Sequence, residues 1–348
     1  MLIERIEGKW IRDFVEVFGL CNVQPGEVVA ILSESQSRPV LVELADLALT
    51  QMGARLFHVR MPTPPAQSAI PLRSTGTSLA LGELDQVVTM LAACDMVVDC
   101  TVEGLLHSVE ARAILSNGAR IFMISNEHPE ILERIKPTRA LQKKCRAGAQ
   151  MITDATQMTV SSQAGTRLSV DLTGTQGRGS AGIADTPGSF GYWPAGLCIC
   201  FPKQGSVNGT VVLAQGDVNL TFKRYIDSAV TLQIENDFIV AIEGKGTDAD
   251  LMRAYYESWS DPNAYAVSHV GWGMATAARW DALAMYDKRD TNGTELRAFG
   301  GNFLFSTGAN ETANRFTACH FDYPMRHCTV RLDDHTVVDN GALVGDLV

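Results

Sequence analysis

Several signatures that would assign a chemistry at once are missing from this sequence. It has no His-Glu-x-x-His helix of the zinc proteases, no Gly-x-Ser-x-Gly elbow of the serine hydrolases and no Gly-Lys-Ser/Thr ending to a phosphate loop. No apolar run reaches the 18 or so residues that a membrane span needs. The opening MLIERIEGKW also lacks the long apolar core of an export signal. Lys and Arg are scattered through a chain of formal net charge −10, so no basic stripe exists to replace the counterions of a nucleic-acid backbone. None of the eight cysteines forms a Cys-x-x-Cys pair, and Cys198-x-Cys200 sits in the apolar run GLCICF. They are expected to be buried thiols in a reducing compartment, which makes the cytoplasm the expected location. At 348 residues and 46% hydrophobic content, the chain can build a substantial core without disulfides.

What is present falls into two grammars. Up to about residue 156, apolar runs alternate with amphipathic stretches. GEVVAIL (26–32), ARLFHVRM (54–61), MVVDC (96–100) and IFMIS (121–125) read as strands. The stretches 39–53, 83–93, 101–118, 128–137 and 138–154 read as helices, with Pro129 at a helix start. This is the pattern of a parallel sheet covered by helices. The proline-rich 61–78 breaks the rhythm as an irregular excursion at the carboxyl edge of the sheet, where open α/β folds place ligands. From about residue 157, short strands are divided by Gly, Asn and Asp turns, with hairpins at END and LDDH. Thr247–Trp259, capped by Thr247, and 277–286 are the inserted helices. The expected architecture is an α/β domain over 1–156 and a mostly antiparallel, β-rich α+β domain over 157–348. GTQGRGSAG (174–182) lacks the strand and helix that flank a dinucleotide fingerprint and reads as a mobile loop beside a site.

Of seven histidines, three matter most. In an extended segment, His320 and Asp322 point to the same face, about 6 to 7 Å apart at the backbone, close enough to reach one ion. His269, in SHVGWG, would complete the set from a separate segment, with two glycines allowing close backbone approach. Two imidazoles and a carboxylate hold non-haem Fe(II) with open cis positions, and the same three residues suit a catalytic zinc. A buried hydrogen-bond network is the plainer reading of a His-Asp pair. His327 is a weaker candidate ligand, while His128 starts a helix and His335 sits in a turn. His107, at the carboxyl edge of the expected sheet, is placed to move a substrate proton. Tyr192 and Trp193 offer a flat wall to an aromatic ligand, and Ser306 and Thr307 offer hydroxyls to its substituents.

The motifs SHVGWG, GNFLFSTGANE and CHFD together resemble the 2,5-dihydroxypyridine 5,6-dioxygenases. LLHS (105–108), PEILERIKP (129–137), Trp193-Pro194, FPKQ as a diverged part, and ENDFIVAIEG (235–244) extend the likeness over nearly the whole chain. The resemblance implies mononuclear Fe(II) at His269, His320 and Asp322, with His107 as general base and Ser306 against the pyridine ring. It implies a hydroxylated pyridine and O2 as substrates, and a homo-oligomer is the expected assembly. A remoter likeness to thermophilic metallo-aminopeptidases implies a related two-domain architecture with a metal cleft, without transferring peptidase chemistry; the alternative readings are a zinc-dependent hydrolase sharing that fold and a small-ligand binding protein without catalysis. One position departs from the family pattern: Tyr192 stands where a substrate-contacting histidine precedes the Trp-Pro pair. A phenol donates a hydrogen bond but does not titrate near neutrality.

Overall fold

The computed structural model describes residues 5–65 and 76–348, so most of the proline-rich excursion lies outside the described residues. The strands Val28–Glu34, Arg55–Met61, Met96–Asp99 and Arg120–Ile124 pair in parallel. Along them, alternate residues serve opposite layers. Val29, Ile31, Met96 and Val98 pack with Phe14, Leu41 and Leu44 of the helices Gly8–Leu20 and Pro39–Gln51. Ala30, Leu32 and Val97 pack with Leu91, Ala111 and Ile114 of Asp85–Ala92 and Val109–Ser116. Burial on both faces explains why these strands read as continuous apolar runs. A fifth strand, Phe190–Trp193, returns from much later in the chain and pairs in parallel with Arg120–Ile124.

The helix Arg139–Asp154 leads out of this layer; the Thr138 hydroxyl accepts from Leu141 N at 3.0 Å, a cap worth about 1 kcal/mol. Beyond it lie two antiparallel sheets of eight and five strands and a two-stranded ribbon. The five-stranded sheet runs in the order Arg315–Met325, Phe303–Asn310, Val267–Gly273, Leu197–Cys200, Gly177–Ser180. One of its faces packs into a core shared with the eight-stranded sheet and the helix Thr247–Trp259, through Val270, Trp272, Phe305, Phe321 and Tyr256. The other face holds the site. Among the described residues no helix is long and apolar enough to cross a membrane, and all eight cysteines are buried free thiols.

Three local expectations change. The helix read over 277–286 shrinks to Ala282–Met285, because tertiary partners take the backbone groups before it: Arg279 N donates to Glu295 Oε1 at 2.7 Å and the Trp280 carbonyl accepts from the Tyr225 hydroxyl at 2.6 Å. At Thr247–Trp259 the cap is Gly246, with φ 90°, and no side chain caps the helix. The glycine-rich 174–182 stretch contains the edge strand Gly177–Ser180 where a loop was expected, since its glycines let a helix backbone pack directly on it.

The parallel sheet and the later segments are stitched together by buried polar contacts. Glu127, fully buried, accepts from Asn292 N at 2.7 Å and Thr294 N at 2.8 Å. Arg134 forks onto Glu295 at 2.9 and 2.8 Å. These bonds fix the segment 290–298, which bears a residue of the site.

Candidate active site

His320 and Asp322 stand two residues apart on Arg315–Met325, and Ser306 and Gly308 lie directly opposite Asp322 and His320 on the neighbouring strand. His269 comes from Val267–Gly273, at a break in register between Val267 and Val270. A bulge re-aims the side chain it contains. Close packing on the other side holds this strand: a Cβ on Gly271 would lie 2.0 Å from the Cys198 carbonyl oxygen, so only glycine fits there.

The result is a convergent set of donors. His269 Nε2 lies 3.7 Å and His320 Nε2 3.2 Å from the same oxygen, Asp322 Oδ1. One ligand atom from each of the three residues falls within 4.8 Å of the others, and all three residues are buried. Cis ligands about 2.1 Å from one ion are separated by about 3 Å, so small side-chain adjustments suffice to share a metal. Burial pushes the His269 pKa down to about 3, which keeps its imidazole neutral and its lone pair available. Burial would raise the Asp322 carboxyl, but His320 and Arg297 outweigh it and hold the group well below the usual carboxylate range. The donor set is that of a facial triad, and it fits ferrous iron.

Asp322 is itself oriented. The Ser306 hydroxyl donates to Oδ1, and Arg297 Nε donates to Oδ2 at 2.5 Å. Such outer partners fix a carboxylate ligand and tune its basicity. Arg297, in NGTELRAFGG, was not singled out from sequence: nothing local marks it, and its role depends on the Glu127 contacts that place the segment.

His107 lies in the 101–108 loop, anchored by its backbone N–H donating to the Gly76 carbonyl at 2.8 Å. Its ring centroid is 5.3 Å from that of His320. Burial, with His320 and His269 beside it, pushes its pKa down to about 3, so the imidazole is in its proton-accepting form. Phe201, which opens the FPKQ stretch but was given no role from sequence, sets its ring 5.4 Å from His269 and 6.5 Å from His107. Tyr192 lies on the wall between the two layers, packed with Met123, Leu197, Ile199 and Leu304, its phenol pushed up by burial. The remaining expected residues stand apart from this cluster. Trp193 points into the core of the parallel sheet, where Nε1 donates to the Leu132 and Ile135 carbonyls at 3.1 and 2.8 Å. Thr307 faces the other core and bonds the Tyr256 hydroxyl at 2.8 Å. His327 is exposed in a turn with φ 56°.

The family model for NicX, 2,5-dihydroxypyridine 5,6-dioxygenase, matches residues 9–345. The chain belongs to the 2,5-dihydroxypyridine 5,6-dioxygenase family. It is 36% identical over 340 residues to the 2,5-dihydroxypyridine 5,6-dioxygenase of Pseudomonas putida, covering 96% of this chain and 95% of that protein. The solved structure of the 2,5-dihydroxypyridine dioxygenase from Pseudomonas putida KT2440 superposes with a TM-score of 0.92 at 34% identity, covering 99% of both chains. Wild-type AmpT from Thermus thermophilus shares the fold, with a TM-score of 0.62 at 14% identity over 97% of this chain and all of that one. Membership in this family and the His/His/Asp cluster together make the protein an iron-dependent dioxygenase.

Proposed function

We propose that the protein opens the ring of a hydroxylated pyridine, 2,5-dihydroxypyridine, with O2, breaking the C5–C6 bond to give N-formylmaleamate. The observation that carries this reading is the convergence of His269, His320 and Asp322 with His107 beside them and apolar side chains around them. His269, His320 and Asp322 would hold Fe(II). When bound, the ferrous ion supplies an electron path between ring and O2, which otherwise react slowly because their spin states differ.

The protein's own contribution is positioning and proton control. His107, held neutral, takes the proton from a ring hydroxyl and leaves a more electron-rich anion. His320 and Arg297 keep Asp322 ionised, and Ser306 and Arg297 hold it in place, so its negative charge faces the metal. In this reading Ser306, on the site face, also meets a ring substituent. Tyr192, Ile199 and Leu304 form the apolar wall that excludes water from an aromatic ring. A phenol at Tyr192 donates a hydrogen bond without changing charge near neutrality, which suits a neutral ring substituent.

The test is anaerobic reconstitution with Fe(II), followed by oxygen-electrode measurements on hydroxylated pyridines and product mass under ¹⁸O2. Uptake of one O2 per ring with both labelled atoms in the product is expected. Absence of uptake with every hydroxypyridine would reject the reading.

A further inference from the structure

The strand Gly177–Ser180 carries one large side chain on the site face of its sheet. Gly177 and Gly179 lie against the helix Arg139–Asp154: a Cβ on Gly177 would fall 2.0 Å from the Ala149 carbonyl oxygen, and one on Gly179 2.2 Å from that of Cys145. Neither position accepts any other residue, so the strand cannot turn over. Alternation then sends Arg178, between them, away from the helix. Its pairing with Ile199 puts it in the same cross-strand row as Gly271 and Leu304, on the face that holds Ser306 and Asp322. The guanidinium rests 4.8 Å from the centre of the Phe201 ring, whose edge contacts lead to His269 and His107.

This cation is exposed, and among the described residues it makes no hydrogen bond or ion pair. Arg297, the arginine beside the ligands, is engaged with Asp322. A planar guanidinium that stacks on a ring while its donors remain unused is pre-organised for a carboxylate.

We propose that Arg178 binds the carboxylate that ring opening creates, acting as a positioning residue for the product. The inference rests on the ring-cleaving reading above. In that reaction C5, which already bears a hydroxyl, becomes the carboxyl carbon and C6 becomes the N-formyl carbon, each taking one atom of O2. The ring enters neutral and gives its hydroxyl proton to His107, so the opened chain leaves with a full negative charge on the new carboxylate. A cation at the mouth of the site gives that charge a partner as it leaves the buried histidines.

The experiment uses the full-length, iron-loaded protein under anaerobic conditions and two probes that share the product's shape: maleamate, which carries the carboxylate, and its neutral diamide. Titration calorimetry of the wild type should show tighter binding of maleamate. Arg178→Gln should weaken maleamate about tenfold while leaving the diamide and 2,5-dihydroxypyridine within about twofold, as expected for loss of one charge-assisted pair. Arg178→Lys, a point charge without the fork, should recover part of the loss. Equal affinity of wild type for the two probes, unchanged maleamate affinity in Arg178→Gln, or equal loss for both probes would overturn the proposal. Oxygen uptake by the wild type separates the two levels. If it consumes O2 with 2,5-dihydroxypyridine while Arg178→Gln binds maleamate normally, only the role of Arg178 falls. If the wild type is inert, the ring-cleaving reading falls and takes this inference with it.

Discussion

On one face of the paired strands Phe303–Asn310 and Arg315–Met325 stand Ser306, His320 and Asp322; on the other, one residue along each strand, stand Phe305, Thr307, Phe321 and Tyr323. Both faces are buried and both contain polar atoms, yet they do different things. On the core face, the Tyr256 hydroxyl bridges Thr307 at 2.8 Å and Tyr323 at 2.9 Å, so the three oxygens satisfy one another. On the site face, the two imidazole Nε2 atoms converge on one oxygen of a buried, ionised carboxylate. A closed hydrogen-bond set stabilises a fold, whereas a convergent set of lone pairs is stable only when something cationic joins it. The strand period of two keeps these chemistries apart by a single residue.

The sharpest way to break this comparison is to remove a ligand. Asp322→Ala and His320→Ala should each lose essentially all bound iron and nearly all turnover, while circular dichroism stays native because the core face is untouched. Stoichiometric iron in both variants would show that the site face is a hydrogen-bond network like its opposite. His107→Ala should separate binding from chemistry. His107 is supplied by the 101–108 loop, not by the sheet, and iron content should persist while kcat falls by about 10²–10⁴, the usual contribution of a positioned base. Unchanged kcat across pH would remove it from the mechanism.

The same alternation explains what could be read from the residues beforehand. His320-x-Asp322 was legible because a period of two is a local property, and SHVGWG because its glycines announce close packing. The alternating helices and strands of the parallel sheet were legible for the same reason. Phe190–Trp193 was not: four residues among glycines join a sheet whose other strands end at Ile124, and no neighbouring residue records that partner. Gly177–Ser180 was hidden by its own glycines, which suggest a loop until the helix lying on them is seen. Arg297 became visible only through Glu127 and Asp322, each distant in sequence. Trp193 and Thr307, adjacent to residues of the site, illustrate the converse: neighbours along a strand face opposite ways.

Ser306→Ala sharpens the comparison from the side of the outer partners. It removes the hydroxyl that donates to Asp322 Oδ1 without altering a ligand, and iron affinity should fall by about 10–100-fold. Competition against a chelator measures this directly. An affinity equal to wild type would mean that Arg297 alone suffices to orient the carboxylate.

Tyr256→Phe should have the smallest effect and the most discriminating pattern. It deletes one oxygen from the core face and leaves Thr307 and Tyr323 without that partner, a loss of about 1–2 kcal/mol. The change should appear as a lower denaturant midpoint with unchanged slope, and chelator competition should give the wild-type iron affinity. The two faces share a backbone, since Thr307 is bonded to Ser306 and Phe321 to both His320 and Asp322. If Tyr256→Phe weakened iron as much as Ser306→Ala does, the core-face oxygens would be setting the position of the ligands through that backbone. The faces would then form one functional unit. Unchanged iron affinity beside a measurable loss of stability would instead show that the strand isolates the metal site from the core behind it.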